Sequence, residues 1–434
     1  MIRLANVLIV DENAPRAHQL RRRLADCGYH AAAVSAMAEG LDHAQREHPD
    51  LVLIGTPAGG DPIALASALK QGAQTDDIPV LLFADVVTAD LCRRALDAGL
   101  DDVLGLACDD AELQARLRPL VRLETMHAEL RQRAIIAQAF GVQARERVSG
   151  PCDSAPALLL IGDNMAAIAP ALGDIGESVV APELFDAEIL LGQRNFDAAV
   201  MAFAEDSEGI LSFCSQVRNN PRLFNLPMVL VGGHGVAEAY RRGATRVLPA
   251  GCDPAVLRSV VLSLVQRQQL RWNIRAALND SLTPATRDPV TGTYGRAYFD
   301  AYLQSRLALA KAQDRHLAVV FFAAPNIEGV RRQFGDDAAL HLAQQVGQWI
   351  TGLLRAEDLT AAYAANEFCV VLPDTPLAEA EVVMHRIAGV LAYTDFAVRE
   401  VYQPVKVWVQ VGCTDARDGD SVASLLARAR SNID

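Results

Sequence analysis

The chain has 434 residues, 51% of them hydrophobic and 21% charged, material for about two to four cores of ordinary domain size. A formal net charge of −13 argues against nucleic-acid binding, which needs a clustered basic surface to neutralise phosphates. No apolar run approaches the roughly 18 residues of a membrane span, and Asp11 interrupts the N-terminal apolar stretch before any cleavage-like site. The sequence therefore predicts a multidomain cytoplasmic protein without membrane insertion. The cysteines at 27, 92, 108, 152, 214, 252, 369 and 413 form no Cys-x-x-Cys or Cys/His cluster, so they read as small buried hydrophobes, with no metal site and no cofactor.

In chain order, Asn6-Val-Leu-Ile-Val10 reads as a buried parallel strand, with Asp11 and Glu12 at its carboxyl end, where open α/β sheets bind ligands. A helix fits from Pro15 to Cys27. Further strands fit Leu51 to Ile54, Val80 to Phe83 and Val103-Leu104, with helical stretches between them. The pattern returns about 150 residues later at Ala157 to Asp163, Phe196 to Met201, Leu226 to Val231 and Arg241 to Leu248. Two tandem doubly wound parallel sheets are the economical reading. Between them, Glu124 to Arg147 suits a helix and Ser149 to Pro156 a linker. Apolar residues at helical spacing from Val256 to Asn279 predict a second connecting helix, stopped by Pro284.

On Asp11, Glu12 and the two Pro-initiated strands at Val80 and Met228, the two halves resemble response-regulator receiver domains. That resemblance implies an acidic pair for magnesium, a phospho-accepting Asp, a hydroxyl and a Lys. In the first copy the last three fall on Gly55, Ala84 and Leu106. In the second they fall on Ala202, Gly232 and Ala250, and the acidic pair becomes Gly162-Asp163. Both copies are thus expected to be docking modules that take no phosphate, with Asp11-Glu12 either a leftover acidic loop, the favoured reading, or a holder of a cation. Receivers commonly dimerise through their last strands and helices, so the resemblance implies a homodimer and protein partners.

The segment Asp288-Pro-Val-Thr-Gly-Thr-Tyr-Gly-Arg296 resembles the opening of diguanylate cyclase (GGDEF) domains. The strand Leu317 to Phe322, Phe334-Gly335 with its following helix, the turn at Asn366 and Val371 to Thr375 continue the likeness to the chain end. The resemblance implies an α/β chain of two doubly wound parallel-sheet receiver domains followed by an α+β GGDEF (nucleotide-cyclase-like) domain. Boundaries are placed at 1–125, 126–155 (helix and linker), 156–270, 271–287 (connecting helix) and 288–434.

The family joins two GTP molecules with divalent cations held by carboxylates beside a tight glycine turn. Here that turn stands as Ala364-Ala365-Asn366-Glu367-Phe368, and the other metal-binding acid falls on Ala323. Guanine-reading positions fall on Arg331 and Leu340, and the His of the family's Gly-His falls on Asp336. These departures set the expectation of a degenerate diguanylate cyclase that is not an enzyme, with no catalytic residue and no metal.

Arg355-Ala-Glu-Asp358 matches the family's Arg-x-x-Asp inhibitory site, five residues ahead of the turn, and Arg386 stands at its supporting arginine. An Arg fork can donate to guanine O6 and N7, and a carboxylate can accept from guanine N1–H and N2–H₂. The ligand expected at Arg355, Asp358 and Arg386 is cyclic di-GMP. The receiver arginines that bridge such a ligand in the family fall on Ala157 and Glu177. The overall expectation is a cyclic di-GMP effector acting by partner recruitment, with a residual diguanylate cyclase or a pure protein-interaction scaffold that binds no nucleotide as the alternatives. Non-catalytic relatives imply a partner in cell-cycle proteolysis and recruitment to a cell pole. Trp349 and Trp408 are expected to pack into the core, and Arg331-Arg332 to form a solvated face.

Overall fold

A computed structural model describes residues 4–55, 60–148, 150, 154–203, 207–232, 235–399 and 401–433. They form two compact units. One holds Ala5–Glu124 and Ser149–Asn273; the other holds Met1–Leu4, Thr125–Val148 and Ile274–Asp434. Half of the linker expected at 149–156 lies outside the described residues.

The first unit contains two five-stranded sheets. In chain order the elements of the first are β1 (Asn6–Val10), α1 (Ala14–Asp26), β2 (His30–Val34), α2 (Met37–Glu47), β3 (Leu51–Ile54), α3 (Pro62–Gln71), β4 (Val80–Ala84), α4 (Ala89–Asp97), β5 (Asp102–Gly105) and α5 (Asp110–Gln138). The second runs β6 (Ala157–Ile161), α6 (Ala169–Leu172), β7 (Glu177–Ala181), α7 (Leu184–Gln193), β8 (Ala198–Met201), α8 (Ser207–Asn219), β9 (Met228–Val231), α9 (Val236–Arg241), β10 (Arg246–Leu248) and α10 (Pro254–Leu278). Strand orders are β2-β1-β3-β4-β5 and β10-β9-β8-β6-β7, all parallel, so each copy repeats the other's winding. The central strands are continuous apolar runs because helices cover both faces: every residue of β3, β6, β8 and β9 is buried.

Helix starts are set locally. Asn13 accepts from the Arg16 amide and Asp61 from the Ile63 amide, with Pro15 and Pro62 in the first turns. The edge strands β2 and β7 escape a sequence reading, since His30-Ala-Ala-Ala-Val34 and Glu177-Ser-Val-Val-Ala181 are half exposed and their apolar runs are short, with little beyond alanine and valine.

The second unit is built on an antiparallel sheet ordered β12-β13-β11-β16, from β11 (Leu317–Ala323), β12 (Leu359–Ala364), β13 (Glu367–Pro373) and β16 (Gln410–Asp415). A short ribbon pairs β14 (Asp395–Phe396) with β15 (Val405–Lys406). Alternation along β11 sends Ala318, Val320 and Phe322 into one core and Leu317, Val319 and Phe321 into another. The first core is closed by α12 (Asn326–Phe334), α13 (Asp336–Gly352) and α14 (Leu377–Tyr393), the second by α11 (Arg296–Ala312) and α15 (Val422–Ser431). Gly335, at φ 91°, takes the left-handed backbone that lets α12 end and α13 begin at once.

The expectation that the tryptophans pack into the core fails. Trp349 is 41% and Trp408 54% exposed. The buried stripe of α13 runs through Leu342, Val346 and Ile350, leaving Trp349 on the outer face.

Candidate functional site

After α13, the amides of Leu353 and Leu354 bond back to the helix, and the chain turns through Arg355–Asp358 before entering β12. The turn closes on itself. Asp358 Oδ2 accepts from the Arg355 amide at 2.9 Å, and the Asp358 amide donates to the Arg355 carbonyl at 3.3 Å. A short acidic side chain three residues on is the residue type that can satisfy such a turn from within. Asp358 is 8% exposed, so its carboxylate faces a restricted space.

The third predicted residue arrives on α14. Arg386 donates through Nη2 to the Leu353 carbonyl at 3.0 Å, at the base of the same turn. Its pKa is lowered by partial burial and by the neighbouring Arg355 charge, with Asp358 opposing. Burial also works against the charge of Arg355, but Asp358, Glu357 and Glu379 outweigh it and raise its pKa. Thus Arg355, Asp358 and Arg386, spread over 32 positions of sequence, act electrostatically on one another. Glu379, which the sequence reading missed, is an exposed residue of α14 that stands 3.8 Å from the half-buried Arg355, a weak, displaceable pair.

At the far end of β12 the hairpin turns between Ala364 and Glu367, which are paired across it. None of Ala364, Ala365 and Asn366 has positive φ, so the turn forms without the glycine-type backbone the family's motif allows. The Asn366 carbonyl accepts from the Ala324 amide at 2.9 Å. Glu367 Oε1 accepts from Arg430 at 2.6 Å, and Arg296 lies 3.7 Å over the Tyr363 ring. Ala323 is directly opposite Glu367. Arg331 pairs with Asp336 at 3.3 Å, and Leu340 is exposed.

In the first unit, Asp11 is buried at the end of β1 and held in a fork by Arg16, at 2.5 Å from Nε and 2.6 Å from Nη2. A side chain at Gly55 would collide with the Asp11 carboxylate. An internal guanidinium therefore stands where an acidic pair would face a cation.

Over 440 aligned residues the chain is 27% identical to the response regulator PleD of Caulobacter vibrioides, covering 99% of this chain and 96% of the relative. Residues 285–434 match the family model "Diguanylate cyclase, GGDEF domain". The chain is similar to this response regulator along nearly its whole length and carries a GGDEF domain at residues 285–434. A further relative, the KDP operon transcriptional regulatory protein KdpE of Escherichia coli, is 33% identical over 27% of this chain and 52% of its own length. Among solved structures, the GGDEF domain of DgcB from Caulobacter crescentus in complex with c-di-GMP is 19% identical over 34% of this chain and 85% of that one, at a TM-score of 0.33.

The PleD-like architecture bears out the fold class: two doubly wound parallel sheets followed by a GGDEF domain with an antiparallel sheet. It corrects the expectation of a degenerate domain that is not an enzyme. The family model for diguanylate cyclases matches through Ala323 and Ala364–Asn366, and the PleD alignment spans them as well, so these substitutions do not remove the domain from that family. The physical reason lies in how magnesium is held. One or two carboxylates are commonly enough, because substrate phosphates and water complete its shell.

A divalent cation of the kind that family uses needs oxygen ligands. Among the described residues no group of three or more His, Cys, Asp or Glu could hold a metal alone. The hairpin does offer two buried oxygens that accept no hydrogen bond, Asn366 Oδ1 and Glu367 Oε2. One amide and one carboxylate oxygen fit a cation that arrives on a triphosphate. Among the described residues no helix is long and apolar enough to cross a membrane.

Proposed function

We propose that this response regulator works in cyclic di-GMP signalling and binds cyclic di-GMP through Arg355, Asp358 and Arg386. The supporting observation is the self-closed Arg355–Asp358 turn with Arg386 at its base. Two guanidinium groups and one buried carboxylate match the acceptor and donor edges of guanine and the charge of the phosphates. The two receiver-like sheets serve as docking surfaces for protein partners and for a second copy of the chain. Calorimetric titration with cyclic di-GMP tests the site: saturable heat from the parent and about hundredfold weaker binding by Arg355→Ala is expected, and equal behaviour of the two would remove the proposal.

The family match favours a second activity in the same domain, diguanylate cyclase. Asn366 and Glu367 would hold the cation, which supplies charge neutralisation on the triphosphate. Arg430 keeps the Glu367 carboxylate oriented at the hairpin. Product formation from GTP and Mg²⁺, followed by chromatography, is the measurement; a product-free parent at high enzyme concentration would exclude it.

A further inference from the structure

The backbone that carries Asp358 is held from behind by a residue far away in sequence. Arg133, in the last turns of α5, is 4% exposed. Its Nη2 donates to the Glu357 carbonyl at 2.5 Å and to the Asp358 carbonyl at 3.0 Å. Those carbonyls belong to the Arg-x-x-Asp turn, on the step where it becomes β12.

Arg133 is itself fixed from several sides. Its guanidinium lies 6.0 Å from the Tyr294 ring and 5.9 Å from the Tyr302 ring, and its Nε is 3.5 Å from Glu129. The Tyr298 hydroxyl donates to the Arg133 carbonyl at 3.0 Å. Glu129, fully buried, also accepts from Tyr302 at 2.6 Å and pairs with Arg306 at 3.1 Å. Arg306 faces Asp374, which is bonded to Arg315 at 2.9 Å and accepts from Thr125 at 3.1 Å. A guanidinium in such surroundings has one geometry, because a buried charge cannot leave its partners without a large desolvation cost.

Resting on the ligand reading of Arg355 and Asp358, we propose that Arg133 is a positioning residue for that site: its Nη2, held in place while Nε faces Glu129, fixes the Glu357–Asp358 backbone and thereby the direction in which the Asp358 carboxylate meets guanine. Arg133 touches no ligand. It acts through two main-chain carbonyls that the side chains of the site do not use. A Lys offers a single point charge in place of a planar fork and keeps the pairing with Glu129, so Arg133→Lys separates the hold on the turn from the charge balance of the core.

The test compares the full-length parent, Arg133→Lys and Thr125→Val, the last of which trims the same network at Asp374 away from the turn. Calorimetry with cyclic di-GMP is paired with amide hydrogen exchange without ligand. Expected for Arg133→Lys is binding about tenfold weaker, as for loss of a hydrogen bond to a charged group, with Thr125→Val unchanged. Exchange should rise at residues 355–359 while β11 and β13 keep their protection. Parent-like exchange at 355–359 in Arg133→Lys overturns the positioning role, as does parent-like affinity. A parent that binds no cyclic di-GMP would defeat the ligand reading, and the exchange measurement would still decide whether Arg133 holds the turn.

Discussion

β12 begins in a turn whose Asp358 is buried, hydrogen-bonded on both sides of the peptide and backed by Arg133. Six residues later it ends in a hairpin where Ala364 and Ala365 are exposed and the remaining anchors are a main-chain bond to Asn366 and the Glu367–Arg430 pair. Both ends are held by contacts distant in sequence, buried and charged at the first and fewer and more exposed at the second. The contrast shows that one strand can carry a buried, self-closed turn and a lightly furnished hairpin, because the support for each comes from different elements: α5 and α14 behind the first, α15 and β11 beside the second.

Removing the deepest support should break the first end most severely. Glu129→Ala leaves Arg133 and Arg306 buried without their shared carboxylate, and a loss of about 3–5 kcal/mol is expected in urea unfolding of the second unit. At the recognition turn, Arg355→Ala should weaken cyclic di-GMP binding by about a hundredfold, as for removal of one partner from a charge-assisted set, with unfolding unchanged. A smaller change is expected at the hairpin. Asn366→Asp adds a carboxylate at the buried oxygen position and should raise the rate of product formation from GTP and Mg²⁺ by about tenfold; an unchanged rate would remove Asn366 from the cation site.

Proton linkage gives a finer test of the rigid end. Burial pushes the Asp374 carboxyl upward, but Arg315, Arg306 and the Thr125 hydroxyl outweigh it and leave its pKa below the ordinary value. A depressed folded pKa contributes stability that is present above the unfolded value of about 3.9 and is lost as pH falls through the folded one. The Tm gap between parent and Asp374→Asn should therefore be full at neutral pH and shrink below about pH 4. The receiver-like sheets supply the smallest effect: with Asp11 forked by Arg16 and glycine at position 55, a labelled acyl phosphate should leave the chain unlabelled.

The parallel sheets were legible because their central strands are buried on both faces and must be apolar throughout; β2 and β7 were not, since an edge strand of alanines and polar residues carries no such constraint. Arg355, Asp358 and Arg386 could be picked out by spacing, yet nothing in Glu129-Leu-Arg-Gln-Arg133 distinguishes a residue aimed at two carbonyls from one on a solvated helix. The expectation against catalysis failed because it counted missing side chains, whereas a magnesium shell can be completed by substrate and water.

By itself the sequence determined the winding of the two parallel sheets, which follows from local patterns of apolar spacing, whereas the third domain and the Arg355–Asp358 turn were read from the resemblance to GGDEF domains. The tertiary structure alone decided what stands behind that turn. Arg133 reaches Glu357 and Asp358 across more than two hundred residues, and a buried guanidinium finds its acceptors only once α5, α11 and β12 are packed.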